Sequence, residues 1–410
     1  MPVFSEESDL GNQKIAIIWQ RHLPYHVARI KHLRMRAEGM GLRLIAIEVA
    51  FQDESYGFPE DTRSSESICC FPGSSYHGHT AREIYDKVSE VLNRVEPDIV
   101  FCPATPFPEG MAAISYGRRR RKKIVMMDTA WERTDNRGFL TRQVKRLIHR
   151  NVDAAFIPAP SHKQYYQKLN FPEDRIIYGM NAVDNEYFSG MADKILHEPA
   201  AFPITKKLPA NYFLFVGRFL QRKGIDNLIH AYNRYRMKCV EKVWNLVLVG
   251  KGPAFDSMSR LAENNPHIIF AGPQYADDLC VYYSMASVFV CPSISEPWGL
   301  VINEALASGL PVLVSTGCGA AKSLVRDGKN GWTFPPGDEN ALCKLMLRIS
   351  ALPPGELQEM WDRSREIIAD WSLDRFADGA LSALTLPKRP PAGPISDALT
   401  FLWKGHVRIN

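Results

Sequence analysis

The chain lacks any apolar run approaching the ~18 residues of a membrane-spanning helix. Its first residues, MPVFSEESDLGNQ, lack the basic start and apolar stretch of a secretory leader. We therefore expect a protein made and kept in the cytoplasm. The eight cysteines (Cys69, Cys70, Cys102, Cys239, Cys280, Cys291, Cys318 and Cys343) include no C-x-x-C pair, and no histidine cluster stands at metal-ligand spacing. This argues against a zinc module or a disulfide scaffold, and buried thiols in a reducing compartment are expected. No internal repeat or low-complexity tract is present. Nor is there a strong excess of one charge. A net charge of +5 suits anionic ligands or an anionic membrane face but is too small to argue for nucleic acid.

What is present is an ordinary globular composition, 45% hydrophobic and 23% charged. A length of 410 residues exceeds one ordinary core, so two domains are expected. Short apolar runs mark strands at Lys14–Trp19, Leu42–Val49, Pro97–Cys102, Ile124–Met127, Ala154–Ile157 and Arg175–Tyr178. Helical patterns fall between them, among them Tyr25–Glu38 and Thr80–Val95. Residues 52–79 are polar and serine-rich and read as loop. The proline-rich stretch 194–210 reads as a linker. The rhythm then repeats, with strands at Tyr212–Val216, Leu246–Val249, His267–Phe270, Val288–Cys291 and Val312–Val314. Strands alternating with helices argue α/β domains with parallel sheets covered on both faces. The expected division is 1–198, 199–386 and a tail, 387–410, packing back on the first domain. Ligands of such sheets sit outside the carboxyl ends of the strands, and two such domains would hold a substrate in the cleft between them.

The stretch SEPWGLVINEALASGLPVL, Ser295–Leu313, places Glu296 and Glu304 around a Pro-Trp-Gly turn and a helix start. The first N–H groups of a helix have no partners within it and can hold an anion. Gly299 admits a ligand close to the backbone. Glu296 precedes those donors and can accept from sugar hydroxyls. Glu304 lies ~12 Å further along at 1.5 Å per residue. That separation suits an elongated ligand with hydroxyls at both ends and phosphate between. Two solvated acids on a surface helix would look the same in isolation. Three further strand ends favour the ligand: Gly217-Arg218 leading to Lys223-Gly224, Gly250-Lys251-Gly252-Pro253, and Gly272-Pro273. Arg218 and Lys223 supply the charge that a diphosphate requires.

Taken together, VGRFLQRKG (216–224), VGKGP (249–253), Ser295–Leu313 and DGKNGWTFPPGD (327–338) resemble the retaining glycosyltransferases of family GT4. The resemblance is specific over about 210–345. It implies the GT-B fold, two Rossmann-like domains facing a central cleft, with the donor site in the second and the acceptor site in the first. By position it implies that Arg218 and Lys223 bind and stabilise the donor diphosphate and that Glu304 binds the ribose. Glu296, Gly217, Gly250 and the backbone of Trp298, Gly299 and Leu300 would hold the donor sugar and phosphate. Arg218, Lys223 and Glu296 are the candidate catalytic residues. No D-x-D triplet occurs, so the two cations stand where a metal would otherwise neutralise the leaving group. No metal and no cofactor are expected, and the co-substrates are a nucleotide sugar, UDP-linked by family frequency, and a hydroxyl acceptor.

Three departures from the family pattern stand out. The loop after the first strand, Gln20–His26, has no glycine, so acceptor contacts fall to side chains, with Tyr25 and His26 as candidates. A His-Asp pair is replaced by Met127-Asp128, leaving Asp128 on the acceptor side. A Gly-x-Pro-Glu turn is replaced within Cys318–Ser323. The basic run Arg118–Lys123 and the amphipathic segment Arg137–Arg150 could rest on anionic lipid, placing the protein at the inner face of the membrane. The rival reading is a non-catalytic binding protein using the basic surface 118–150. It is disfavoured by the complete donor set and, for nucleic acid, by the lack of aromatics within 118–123.

Overall fold

The computed structural model describes residues 12–52, 67–135, 138–239, 243–263 and 265–407. Two compact units emerge. Unit 1 comprises Met1–Ala130, Asp135–Ala182 and Leu373–Asn410, and unit 2 comprises Trp131–Thr134 and Val183–Ser372.

Unit 1 is built on strands β1 (Lys14–Trp19), β2 (Arg43–Gln52), β3 (Ser67–Ser75), β4 (Ile99–Pro103), β5 (Lys123–Met127), β6 (Ala154–Ile157) and β7 (Ile176–Tyr178). They form one parallel sheet in the order β3-β2-β1-β4-β5-β6-β7. Alternation along each strand feeds two cores. Ala16 and Ile18 join Val100 and Met126 on one face, while Ile15 and Ile17 join Phe101 and Val125 on the other. Apolar side chains on both faces are what a parallel sheet covered by helices on both sides requires. The second face is covered by the helix Pro24–Glu38 and by a helix from the far end of the chain, Leu373–Thr385, through Ile30, Leu33, Phe376, Ala377 and Ala380. Arg36 reinforces that contact by pairing with Asp374 at 2.9 Å and Asp378 at 2.7 Å.

Unit 2 carries β8 (Tyr212–Val216), β9 (Asn245–Val249), β10 (Ile268–Gly272), β11 (Val288–Cys291), β12 (Val312–Ser315) and β13 (Gly331–Phe334). This sheet is also parallel, in the order β10-β9-β8-β11-β12-β13. Phe213, Phe215, Leu246, Leu248 and Val290 form its larger core with Ile225, Leu228 and Tyr232 of the helix Ile225–Lys238.

The division differs from the one expected at 198/199 and 386/387. The stretch read as a linker begins inside the helix Asn185–His197, which Asp184 caps by accepting from the Tyr187 N–H at 3.0 Å. Ile195 is buried, and Phe202, Ile204 and Leu208 pack on the same cluster, so these residues belong to unit 2. Residues 373–386, expected in the second domain, complete the core of unit 1. The tail beyond them also lies in unit 1: Arg118 grips Asp397 with two bonds of 2.6 Å, and the Trp403 indole donates to the Thr105 carbonyl at 2.9 Å. Within the expected loop 52–79, residues 53–66 lie outside the described residues, and 67–75 form the edge strand β3.

Candidate functional site

In unit 2, β8 lies beside β11, and the chain leaves them toward opposite edges of the sheet. Such a reversal opens a crevice outside the carboxyl ends of the two strands. The loops that leave it are 217–224 and 292–299, the two segments singled out from the sequence. The Ile294 N–H donates to the Arg222 carbonyl at 2.9 Å and ties them together.

Two predicted residues from these loops meet. The Lys223 ammonium donates to the Glu296 carboxylate, with the side chains only 16% and 13% exposed. Burial alone would lower the lysine's pKa, but the adjacent carboxylate outweighs it and holds the ammonium above its ordinary value. Arg218 sits half-buried on the same loop. Glu304 lies one turn into the helix Leu300–Ala307 and accepts from the Tyr283 hydroxyl at 2.8 Å. Burial raises Glu304 to about 7, against the opposing pull of that bond. This carboxyl therefore titrates near neutrality.

Gly299 caps the helix with φ 100°, a conformation that favours glycine, and leaves the N–H of Leu300 at the helix mouth. Trp298, whose backbone is expected at the donor, also has a structural role. Its carbonyl accepts from the Ala320 N–H at 3.2 Å. Its indole is 2% exposed, donates to Asn303 at 2.9 Å and packs 5.2 Å from the Trp371 ring. The side chain braces the turn from inside the core. Gly250 is also an internal requirement: with φ 142°, a β-carbon there would lie 1.9 Å from the Gly217 carbonyl oxygen. Its bareness lets two strand ends close up, and Gly217 donates to the Val249 carbonyl at 3.0 Å.

Unit 1 has its own reversal, between β1 and β4. Tyr25 and His26 follow β1, and Asp128 follows β5, all toward the carboxyl edge. The His26 ring stacks on Trp19 at 4.5 Å. Its Nδ1 lies 3.0 Å from the Arg21 carbonyl and 3.2 Å from the Leu23 N–H. Burial drives its pKa well below the ordinary value. His26 thus holds the glycine-free loop in shape rather than presenting a free ring. Tyr25 meets His26 edge-on at 4.3 Å and carries the Arg29 guanidinium 5.0 Å above its ring. Asp128 accepts from the Ala130 N–H at 3.1 Å and shapes the turn after β5.

Sequence reasoning missed a buried polar group beside that loop. The His22 N–H donates to Glu48 at 3.2 Å, and burial lowers the His22 ring to about 4. Glu109, fully buried in the first turn of the helix Pro108–Arg120, accepts from the Tyr76 hydroxyl at 3.0 Å. Burial raises its carboxyl to about 7. The proline followed by an acid marks a helix start. Its burial depends on Tyr76, from a segment with no readable period.

Residues 198–366 match the family described as glycosyl transferases, group 1. Over this domain the chain is similar to the group 1 glycosyl transferases. The sulfoquinovosyl transferase SQD2 of Arabidopsis thaliana is 38% identical over 205 residues, 49% of this chain and 38% of that protein. The GDP-mannose-dependent alpha-(1-6)-phosphatidylinositol monomannoside mannosyltransferase of Mycolicibacterium smegmatis is 31% identical over 148 residues, 34% of this chain and 38% of that one. The chain thus spans about two fifths of the length of these curated relatives. Among solved structures, HepE of Anabaena in complex with UDP and glucose covers 91% of this chain and 100% of its own, with TM-score 0.69 and 15% identity. The likeness is one of fold: two Rossmann-like parallel sheets, the GT-B architecture.

The region matched to the group 1 glycosyl transferases contains Arg218, Lys223, Glu296 and Glu304. The basic run lies outside it and is mostly engaged internally. Arg118 holds Asp397, Lys122 pairs with Asp98 at 2.7 Å, and the buried Lys123 donates to the Ala383 carbonyl at 3.3 Å. The amphipathic segment forms the helix Phe139–Ile148, with Arg137 outside the described residues. It exposes Phe139 (71%) and Leu140 (78%). No helix among the described residues is long and apolar enough to cross a membrane.

Proposed function

We propose that this protein moves a sugar from a nucleotide-diphosphate sugar, UDP-linked in the first instance, to a hydroxyl acceptor in polysaccharide, glycolipid or small-glycoside synthesis. The reaction retains the anomeric configuration and needs no metal. The observation that carries this reading is the Lys223–Glu296 pair at the strand reversal of unit 2, beside the open mouth of the helix Leu300–Ala307.

Breaking the bond between sugar and phosphate leaves new negative charge on the diphosphate. Arg218 and Lys223 stabilise that charge, and do so more strongly in the transition state than before it. Glu296 accepts from sugar hydroxyls and Glu304 from ribose hydroxyls. Lys223 and Glu296 neutralise each other. A bound diphosphate offers the lysine a second anion and frees carboxylate lone pairs for the sugar. The leaving phosphate takes the acceptor's proton on the same face, so no separate protein base is invoked. Tyr25, His26 and Asp128 of unit 1 lie on the acceptor side, with His26 acting through the loop it shapes. The UDP and glucose named for HepE support a UDP-sugar donor.

The phosphatidylinositol monomannoside in the mycobacterial relative's name supports a lipid-linked acceptor. The exposed Phe139 and Leu140, next to Arg142 and Arg146, fit a peripheral contact with an anionic membrane from the cytoplasmic side.

The test is thermal stabilisation of the purified protein by UDP, GDP, ADP and dTDP, with and without EDTA. A shift selective for one nucleotide and unchanged by EDTA is expected. No shift with any of the four refutes the donor site. Lys223→Ala and Glu304→Ala, tested separately, should each lower transfer by ~10²-fold or more. Full activity in both variants refutes the assigned roles.

A further inference from the structure

The end of β11 and the loop after β12 bring two cysteines to one point beside the candidate donor site. Cys291 is the last residue of β11, and Cys318 follows β12. Both are free thiols, 3% and 1% exposed, with their sulfurs 3.5 Å apart. The Cys318 thiol donates toward Cys291 and, with help from the Lys223 ammonium, favours thiolate on Cys291 against the opposing effect of burial. Ser293 Oγ lies 3.8 Å from the same sulfur.

The backbone on either side of Cys318 holds Glu296. The Glu296 N–H donates to the Gly317 carbonyl at 3.0 Å, and the Gly319 N–H donates to the Glu296 carbonyl at 3.0 Å. Any movement of Cys318 toward β11 is thus transmitted to the carboxylate that pairs with Lys223.

We propose that Cys291 and Cys318 form a reversible disulfide when the protein meets a hydroperoxide, and that this bond weakens donor binding. The Cys291 thiolate attacks the peroxide oxygen. An S–O bond forms, the O–O bond breaks, and the departing hydroxide leaves as water after taking the proton from Cys318. The Cys318 thiolate then attacks the Cys291 sulfenic sulfur. The S–S bond forms and the sulfenic oxygen leaves as hydroxide, which takes up the proton released when the Cys291 thiolate was formed. Two thiols and one hydrogen peroxide give one disulfide and two waters. A dithiol reductant reverses the bond by exchange. Closing the sulfurs from 3.5 Å to about 2.05 Å takes up about 1.5 Å, shared between side-chain rotation and a shift of the Cys318 loop to which the Glu296 backbone is bonded. Binding geometry tolerates about 0.5 Å, so Glu296 leaves its working position. The formation of the bond is independent of the functional reading above; its effect on nucleotide binding rests on it.

The full-length protein is treated with hydrogen peroxide, denatured, blocked with N-ethylmaleimide and digested with chymotrypsin without reductant. One tryptic peptide would hold both cysteines, whereas cleavage after Trp298 separates them. Mass spectrometry should find the Cys291 and Cys318 peptides joined, two hydrogens lighter than the reduced pair, and separated by dithiothreitol. Both thiols blocked, or sulfinic acid with no joined pair, would overturn the site. UDP should bind about tenfold more weakly to the oxidised protein, the loss of one charged hydrogen bond, and recover on reduction. Equal affinity in the two states would overturn the effect on binding. Cys318→Ser should bind UDP normally and lose the peroxide response. An undiminished response in that variant would overturn the assignment to this pair. If reduced protein binds no UDP while the joined peptide forms, the donor reading fails and the disulfide stands.

Discussion

Glu109→Gln should stabilise unit 1 at neutral pH and above while leaving it nearly unchanged in acid. The carboxyl is fully buried, and one oxygen accepts from Tyr76. Its pKa rises from 4.5 to about 7, chiefly through burial. A raised pKa means that the folded protein holds the proton more tightly than the unfolded chain does. The resulting stability is complete below about 4.5 and is lost as pH climbs through about 7. A rise of roughly 2.5 pH units at 1.36 kcal/mol each corresponds to about 3 kcal/mol at pH 8. Glutamine keeps the shape and cannot ionise. The variant should therefore match the parent near pH 5 and exceed it by ~2–3 kcal/mol at pH 8. Urea unfolding of both proteins at pH 5, 6, 7 and 8 measures this, with the two units followed separately because they need not unfold together. Taking the difference at each pH cancels other titrations, Glu304 included. A difference that stays flat across this range, or falls with pH, would refute the reasoning.

Other outcomes follow from the same geometry. Trp298→Phe removes the donor to Asn303 and should cost ~1–3 kcal/mol in urea unfolding of unit 2, independent of pH; a loss under about 0.5 kcal/mol would show that the indole bond does not brace the turn. Gly250→Ala forces a β-carbon onto the Gly217 carbonyl and should cost ~2–4 kcal/mol, with the nucleotide-induced thermal shift reduced in parallel; an unaltered melting temperature contradicts the required closeness. Phe139→Ser with Leu140→Ser should lower co-sedimentation with phosphatidylglycerol vesicles while leaving the melting temperature unchanged, since both side chains are exposed. Equal co-sedimentation would remove this helix from any membrane contact.

The strand rhythm was legible because each buried strand is a short apolar run with a helix after it. Tyr212–Val216, Val288–Cys291 and Ala154–Ile157 are found where the sequence places them. β3 was not legible. It is an edge strand, where Pro72 and Gly73 are tolerated and alternation is weak. β13, Gly331–Phe334, opens on a glycine and carries Thr333, so it forms no continuous apolar run. The domain boundary was misplaced because periodicity reports that the helix Leu373–Thr385 has an apolar face, not which sheet that face covers. At the candidate site, Lys223 and Glu296 could be recognised separately as strand-end residues. Their pairing follows from β8 lying beside β11, which is a property of strand order. The backbone of Trp298 is assigned to the ligand site by the family resemblance, which does not show where its carbonyl and ring go. The turn directs its carbonyl to Ala320 and its ring into the core.

The return of the helix Leu373–Thr385 to unit 1 bears on how the polypeptide is made. Nearly all of unit 2 is one continuous segment, 183–372, and it emerges from the ribosome before that helix does. Unit 1 is begun before unit 2 and completed after it. Until Phe376, Ala377 and Ala380 arrive, the sheet surface formed by Ile15, Ile17 and Phe101 waits without one of its covering helices. In vectorial synthesis, the later globule can mature first, and the earlier one must stay receptive until the helix Leu373–Thr385 has emerged.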